Sequence, residues 1–243
     1  MLLVGTRVRG PLLLGLGRRA TAEALGTGLL VAIIIGSGIA AQRLSPDNVG
    51  LQLLENSTAT AAGLVALILA FGSVSGAHLN PVVSLVDRAF GGLTNRELAA
   101  YVPAQIAGAC AGAMIANLMF DLPAVELSTH ARTGSGIWLG EIVATLGLVL
   151  VIFGVVRSGR SNTTPFAVAG YIAAAYWFTS STSFANPAVT IARTLTDTFA
   201  GIEPSSVPGF LVAQLAGCAL AVALVRFLYP GVHADEVLVP HDA

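Results

Sequence analysis

The sequence contains no lysine, only two cysteines and only 25 charged side chains among its 243 residues: 12 arginines and 13 acidic residues. A soluble domain carries about 25% charged residues, against 10% here. So few charges cannot cover a water-exposed surface of this size, which excludes a soluble enzyme and a disordered chain. A formal net charge of −1 excludes a nucleic-acid binder, which needs a basic face. Cys110 and Cys218 both lie inside apolar runs, which points away from a disulfide framework or a metal site and towards small buried helix residues. The segment Met1 to Arg19 lacks the ordered regions of a secretory signal and reads as a cytoplasmic tail.

What the chain has is apolar sequence. Hydrophobic residues make up 55% and the mean hydropathy is +0.80. Six long apolar segments stand out, near 21–41, 59–76, 98–120, 137–157, 165–181 and 208–229. Each suits the roughly 20 residues of a membrane crossing. Polar loops such as Ser45–Ser57 and Asp121–Ser135 separate them, and Arg157–Thr164 is short and basic. Two further stretches, 79–90 and 187–199, are about half a span long and each opens at an Asn-Pro pair, Asn80-Pro81 and Asn186-Pro187. They predict re-entrant half-helices, with proline at the first helical position where its missing N–H costs nothing.

The two halves repeat each other. Glu23-Ala-Leu-Gly-Thr27 matches Glu141-Ile-Val-Ala-Thr145, and Gly36 matches Gly154. Asn80-Pro-Val-Val-Ser84 matches Asn186-Pro-Ala-Val-Thr190, and Ala104-Gln-Ile-Ala-Gly108 matches Ala213-Gln-Leu-Ala-Gly217. With three spans per half, the second copy enters from the opposite side of the membrane, an inverted repeat. A cytoplasmic N-terminus puts nine arginines inside and only Arg43, Arg132 and Arg193 outside. That agrees with the positive-inside rule and predicts two cytoplasmic termini.

Two half-helices entering from opposite leaflets would bring their N-termini together near the bilayer centre. Free backbone N–H groups, the positive dipole ends and the amides of Asn80 and Asn186 would then meet at one point. A neutral polar solute exchanges hydration for hydrogen bonds there, whereas a cation is repelled. Capping by asparagine explains one such site but not a matched pair.

Ser75-Gly-Ala-His78-Leu-Asn80-Pro81-Val82 and Ser183-Phe-Ala-Asn186-Pro187-Ala188 resemble the two signature loops of the aquaporin, or major intrinsic protein, family, over about residues 20–230. The resemblance implies an all-α membrane protein with six transmembrane helices and two re-entrant half-helices. It implies a pore in each protomer, a homotetramer in the inner (plasma) membrane, and passage of small neutral solutes with no cofactor. The expected layout is a cytoplasmic tail (1–20), one channel domain (21–230, repeats about 21–120 and 137–230) and a second cytoplasmic tail (231–243). Glu23 and Glu141 would brace the re-entrant loops, with Gln105 and Gln214 as further structural polar groups. His78 would be a loop anchor or pore-lining group rather than a metal ligand, since no second ligand is spaced to join it.

The sequence departs from the family pattern in two places. Val82 replaces the alanine of the first box. Val189 stands directly after the second box, where most members carry arginine, and this predicts a wider, less polar constriction. Arg193, four residues on and one helical turn further out, has two readings: it reaches back to the constriction or, as the first choice, it is an interfacial arginine at the extracellular rim. The remaining filter positions are Ser183, Thr60 and a fifth-span residue: Ala174 by ungapped counting, or Tyr176 or Trp177 by alternative alignments, the last two also suiting an interfacial aromatic belt. This filter resembles the bacterial branch associated with neutral metalloid acids such as arsenite, and predicts passage of water with glycerol-like, urea-like or metalloid solutes. The competing readings are a proton-coupled secondary transporter and a water-selective aquaporin. An intramembrane enzyme lacks any visible pair of catalytic residues.

Overall fold

The computed structural model describes residues 14–230. Most of the two tails predicted at the ends, and all of 231–243, lie outside the described residues. The described chain is all helical: α1 (Leu16–Leu44), α2 (Val49–Ser75), α3 (Pro81–Ala89), α4 (Asn95–Met119), α5 (Ser135–Arg157), α6 (Thr164–Phe178), α7 (Pro187–Ala192) and α8 (Val207–Leu228). Five of these, α1, α2, α4, α5 and α8, are long and apolar enough to cross a membrane. The sixth, α6, has 15 residues, about 22 Å of helix, extended at its start by a 3₁₀ turn at Ser161–Thr163.

Several boundaries differ from expectation. Most of the polar stretch Ser45–Ser57 is helical, because Asn48 caps α2 by accepting the Leu51 N–H. Its polar side chains are used inside: Asn56 donates to the Ile34 carbonyl at 2.8 Å, and Ser57 is buried. The second half-helix ends at Ala192 and passes into a 3₁₀ turn, Arg193–Leu195, rather than running to 199. At the other end, helix begins at Leu16, inside the predicted tail.

The helices pair as a repeat: α1 packs on α2 and α4 as α5 packs on α6 and α8. Each half-helix packs against the third spans of both halves, α4 and α8. Small residues set the closest crossings, as expected where lipid removes any hydrophobic drive between helices. A Cβ added at Gly108 would sit 2.0 Å from the Ala24 carbonyl oxygen, and one at Gly112 2.0 Å from that of Gly28. The first re-entrant loop is also strapped from outside. Tyr101 donates to the Ser75 carbonyl at 2.8 Å while accepting from Arg19 Nε at 2.9 Å, and Arg19 pairs with Glu97.

Candidate functional site

Both half-helices begin at proline, with Asn80 and Asn186 as their extended N-caps. Asn80 Oδ1 accepts from the Val82 N–H at 2.9 Å, and Asn186 Oδ1 from the Ala188 N–H at 3.0 Å. Each asparagine then reaches across to the other loop. Asn80 Nδ2 donates to the Ala185 carbonyl and Asn186 Nδ2 to the Leu79 carbonyl, both at 2.8 Å. The crossed pair locks the two helix starts together. Each amide nitrogen retains a second N–H, because an amide has two.

The loops leading to these caps are unusual backbone. Ala77, Leu79, Ser183 and Ala185 all have φ between 46° and 51°, a left-handed region that costs a non-glycine residue about 1–2 kcal/mol. Glu23 and Glu141 hold it in place from behind. Glu23 accepts the N–H groups of His78 (3.0 Å) and Leu79 (2.7 Å), Gln105 Nε2 (2.7 Å) and the Ser75 hydroxyl (2.5 Å). Glu141 accepts the N–H groups of Phe184 (2.8 Å) and Ala185 (2.9 Å) and Gln214 Nε2 (2.7 Å). Both carboxylates are fully buried. Gln105 and Gln214 also donate to the hydroxyls of Ser84 (3.0 Å) and Thr190 (2.9 Å) on the half-helices. Across a planar trans peptide the N–H and the preceding C=O point opposite ways. With the N–H groups turned to the glutamates, the carbonyls of Ala77, His78, Ser183 and Phe184 face away from them.

What they face is a cavity of about 760 Å3, counting the space open at its ends. Residues of both loops line one wall. The opposite wall is apolar, with Leu30 and Ile34 of α1, Leu64 and Ile68 of α2, Leu148 and Ile152 of α5, and Val168 and Ile172 of α6. The third and sixth spans, α4 and α8, stay behind the loops. The hydroxyls of Thr164 and Ser183, both cavity-lining, have no protein partner among the described residues. His78 also lines the cavity, with Nδ1 3.0 Å from the Ser84 hydroxyl, its ring edge-on to Tyr101 and Nε2 3.9 Å from Asp87.

Thr60, Ser183 and Val189 all line the cavity, and so does Tyr176. The fifth-span assignment to Ala174 or Trp177 is therefore corrected. Ala174 lies on the exposed face of α6, and Trp177 is half exposed, donating from its indole to the Ser57 hydroxyl at 3.2 Å. Tyr176 is no belt aromatic, being 4% exposed with its hydroxyl 3.3 Å from that of Thr60. The missed signal was a stripe at four-residue spacing: Thr164, Val168, Ile172 and Tyr176 all line the cavity. Val82 is fully buried inside the half-helix contact and does not reach the cavity.

Of the two readings of Arg193, the one that puts it at the extracellular rim is corrected. It is 3% exposed and lines the cavity. Its Nε donates to the Ala200 carbonyl, and its guanidinium lies 3.4 Å from the centroid of the Phe184 ring. The irregular loop that follows keeps it inside. Thr129 ties that loop from the other side, its N–H donating to Asp197 at 2.8 Å and holding that carboxyl below its usual range.

Comparison with known proteins agrees with this architecture. The sequence profile of the family described as Major intrinsic protein matches residues 14–182. Aquaglyceroporin AqpS of Rhizobium meliloti (strain 1021) is 54% identical over 213 residues, covering 88% of this chain and 91% of that protein. Aquaporin AqpM of Methanothermobacter marburgensis is 29% identical over 248 residues, covering 89% and 99%. Among solved structures, the aquaglyceroporin from Plasmodium falciparum has the same fold, with a TM-score of 0.65 at 23% identity over 93% of this chain and all of that one. By profile, by sequence and by the paired half-helices, this chain belongs to the major intrinsic protein family of integral, multi-pass membrane channels.

Proposed function

We propose that the protein is a passive channel carrying water together with larger neutral solutes, such as glycerol, urea-like molecules and metalloid hydroxides. The pore is the cavity described above, one in each protomer of a homotetramer in the plasma membrane, with both termini cytoplasmic. The observation that supports the substrate class is that uncharged Val189 lines the cavity, as do Thr60, Tyr176 and Ser183.

The walls divide the work. Loop carbonyls accept hydrogen bonds from a solute's hydroxyls, while the hydroxyls of Ser183 and Thr164 and the free amide N–H groups of Asn80 and Asn186 donate to its oxygens. The apolar wall accepts a carbon skeleton and offers nothing to a hydration shell. A neutral polyol exchanges water for these partners at little net cost, since each exchanged hydrogen bond differs by only about 1 kcal/mol. A cation at the centre meets two helix N-termini, each worth about half a positive charge. At ~5 Å and an effective dielectric near 20 each end costs it about 1.7 kcal/mol, on top of the hydration it has lost.

The proton-coupled alternative needs a titratable relay in the pore. Glu23 and Glu141 are spent on bracing the loops, with four and three donors respectively, and neither lines the cavity.

The test is flux through the purified protein in liposomes, using water, glycerol and arsenite as solutes. The expected result is flux of all three, with low activation energy and no response to a proton gradient. Saturable accumulation driven by that gradient would overturn the channel reading.

A further inference from the structure

We propose that Arg193 is the filter cation of this channel, supplied from one helical turn beyond Val189, and that it excludes cations while offering hydrogen-bond donors to neutral, oxygen-rich solutes. This inference rests on the channel reading above. Arg193 lies four residues beyond Val189, at the start of the 3₁₀ turn that directly follows α7. Both line the cavity.

The guanidinium is held rather than loose. Nε is fixed by the Ala200 carbonyl, and the face of Phe184 supports the charged plane from below. Its partner across that ring, Arg132, shows what a purely structural arginine does here. Arg132 is part-exposed, gives Nε to the Gly201 carbonyl at 2.9 Å and Nη2 to that of Phe199 at 3.2 Å, and does not line the cavity. Arg193, by contrast, uses only Nε in this way. Among the described residues no protein acceptor takes its four terminal N–H groups, and no carboxylate pairs with it. A buried cation with unspent donors on the wall of a pore in a membrane protein is a functional group by default.

The repeat supports the same conclusion. The offset of 106 that relates Asn80 to Asn186 also relates His78 to Phe184 and Asp87 to Arg193. In both copies a ring in the loop sits against a charged residue, His78 3.9 Å from Asp87 in α3 and Phe184 3.4 Å from Arg193 just past the end of α7. Asp87 stays outside the cavity lining, whereas Arg193 is part of it. The outer end alone presents its charge to the path. Moving the cation outward leaves the constriction at Val189 free of guanidinium bulk, so larger solutes pass while the charge barrier is kept.

The experiment compares native protein with Arg193→Gln and Arg193→Lys in liposomes, reading sodium and proton leak under an imposed potential, with glycerol flux measured in parallel. Glutamine keeps an N–H donor for the Ala200 carbonyl and loses the charge together with the terminal N–H groups, and lysine restores the charge without the planar group. The leak should rise about tenfold or more in Arg193→Gln and stay near native in Arg193→Lys, as expected for loss of one charge beside the path. An Arg193→Gln channel with native glycerol flux and native ion tightness would overturn the proposal. Should that variant not assemble, Arg193→Lys is followed from pH 8 to pH 11. Its tightness should be lost at a lower pH than that of native protein, because an ammonium gives up its proton more readily than a guanidinium. Tightness of the lysine variant that does not change with pH would refute the proposal. Absence of glycerol flux in native protein would count against the channel reading alone, since the leak comparison is read separately.

Discussion

The two re-entrant segments, 76–89 and 182–195, are the same device built twice and then finished differently. Behind the loops the copies match group for group: Glu23 with Glu141, Gln105 with Gln214, Ser84 with Thr190, and left-handed Ala77 and Leu79 with Ser183 and Ala185. At their tips Asn80 and Asn186 exchange equivalent hydrogen bonds of 2.8 Å. One turn away the likeness ends. The first segment carries His78 and Asp87, the second Phe184 and Arg193. The matched part requires both copies to be equal, because two helix starts must meet symmetrically. The flanks face different ends of the path and are free to diverge. On the proposal above, exclusion of ions is shared between the common centre and Arg193 on the flank of the second copy, and that same flank sets the choice among solutes.

The largest effect should come from breaking the shared part. Replacing either carboxylate, as Glu23→Gln or Glu141→Gln, turns one acceptor oxygen into a donor facing donors. It leaves buried N–H groups unpaired at about 1–3 kcal/mol each while the left-handed backbone still has to be held. Both variants should lose more than about tenfold of water and glycerol flux, equivalent to ~1.4 kcal/mol in barrier, measured in liposomes by light scattering. Comparable losses support equal roles for the two copies. A tolerated substitution on one side only would break the comparison.

A smaller effect is expected where the copies differ in packing. Gly112 of α4 lies against the Gly28 carbonyl, whereas the equivalent residue of α8 is Ala221, buried without difficulty. Gly112→Ala should destabilise the protein by about 1–3 kcal/mol, the usual range for forcing extra atoms into a packed contact. The reverse exchange, Ala221→Gly, should cost no more than about 1 kcal/mol. Thermal unfolding in detergent orders the two. If Gly112→Ala proved the milder, the close α1–α4 crossing would not be the support it is taken for.

Much of this was legible in the sequence because it rests on local chemistry repeated in register. Asn-Pro at the start of two short apolar stretches signals capped half-helices, and a glutamate in the same place in two spans signals a repeated polar duty. The start of α2 was hidden because Asn56 and Ser57 read as loop residues, although Asn56 donates to the Ile34 carbonyl inside the helix bundle. Tyr176 was obscured because three aromatic residues in a row, Tyr176 to Phe178, look like an interfacial belt until the four-residue stripe is followed. Arg193 was misplaced on the assumption that the half-helix continues outward. The chain instead turns after Ala192, and the Ala200 carbonyl and the Phe184 ring draw the guanidinium in.

The central claim is that the vacancy at Val189 sets the solute range. The direct measurement is the ratio of glycerol to water permeability in native protein and in Val189→Arg, reconstituted side by side. A second guanidinium at the constriction should lower that ratio by about tenfold or more, ~1.4 kcal/mol of added barrier for the larger solute, while water flux stays within a few-fold. An unchanged ratio in a variant that still conducts water would contradict the account.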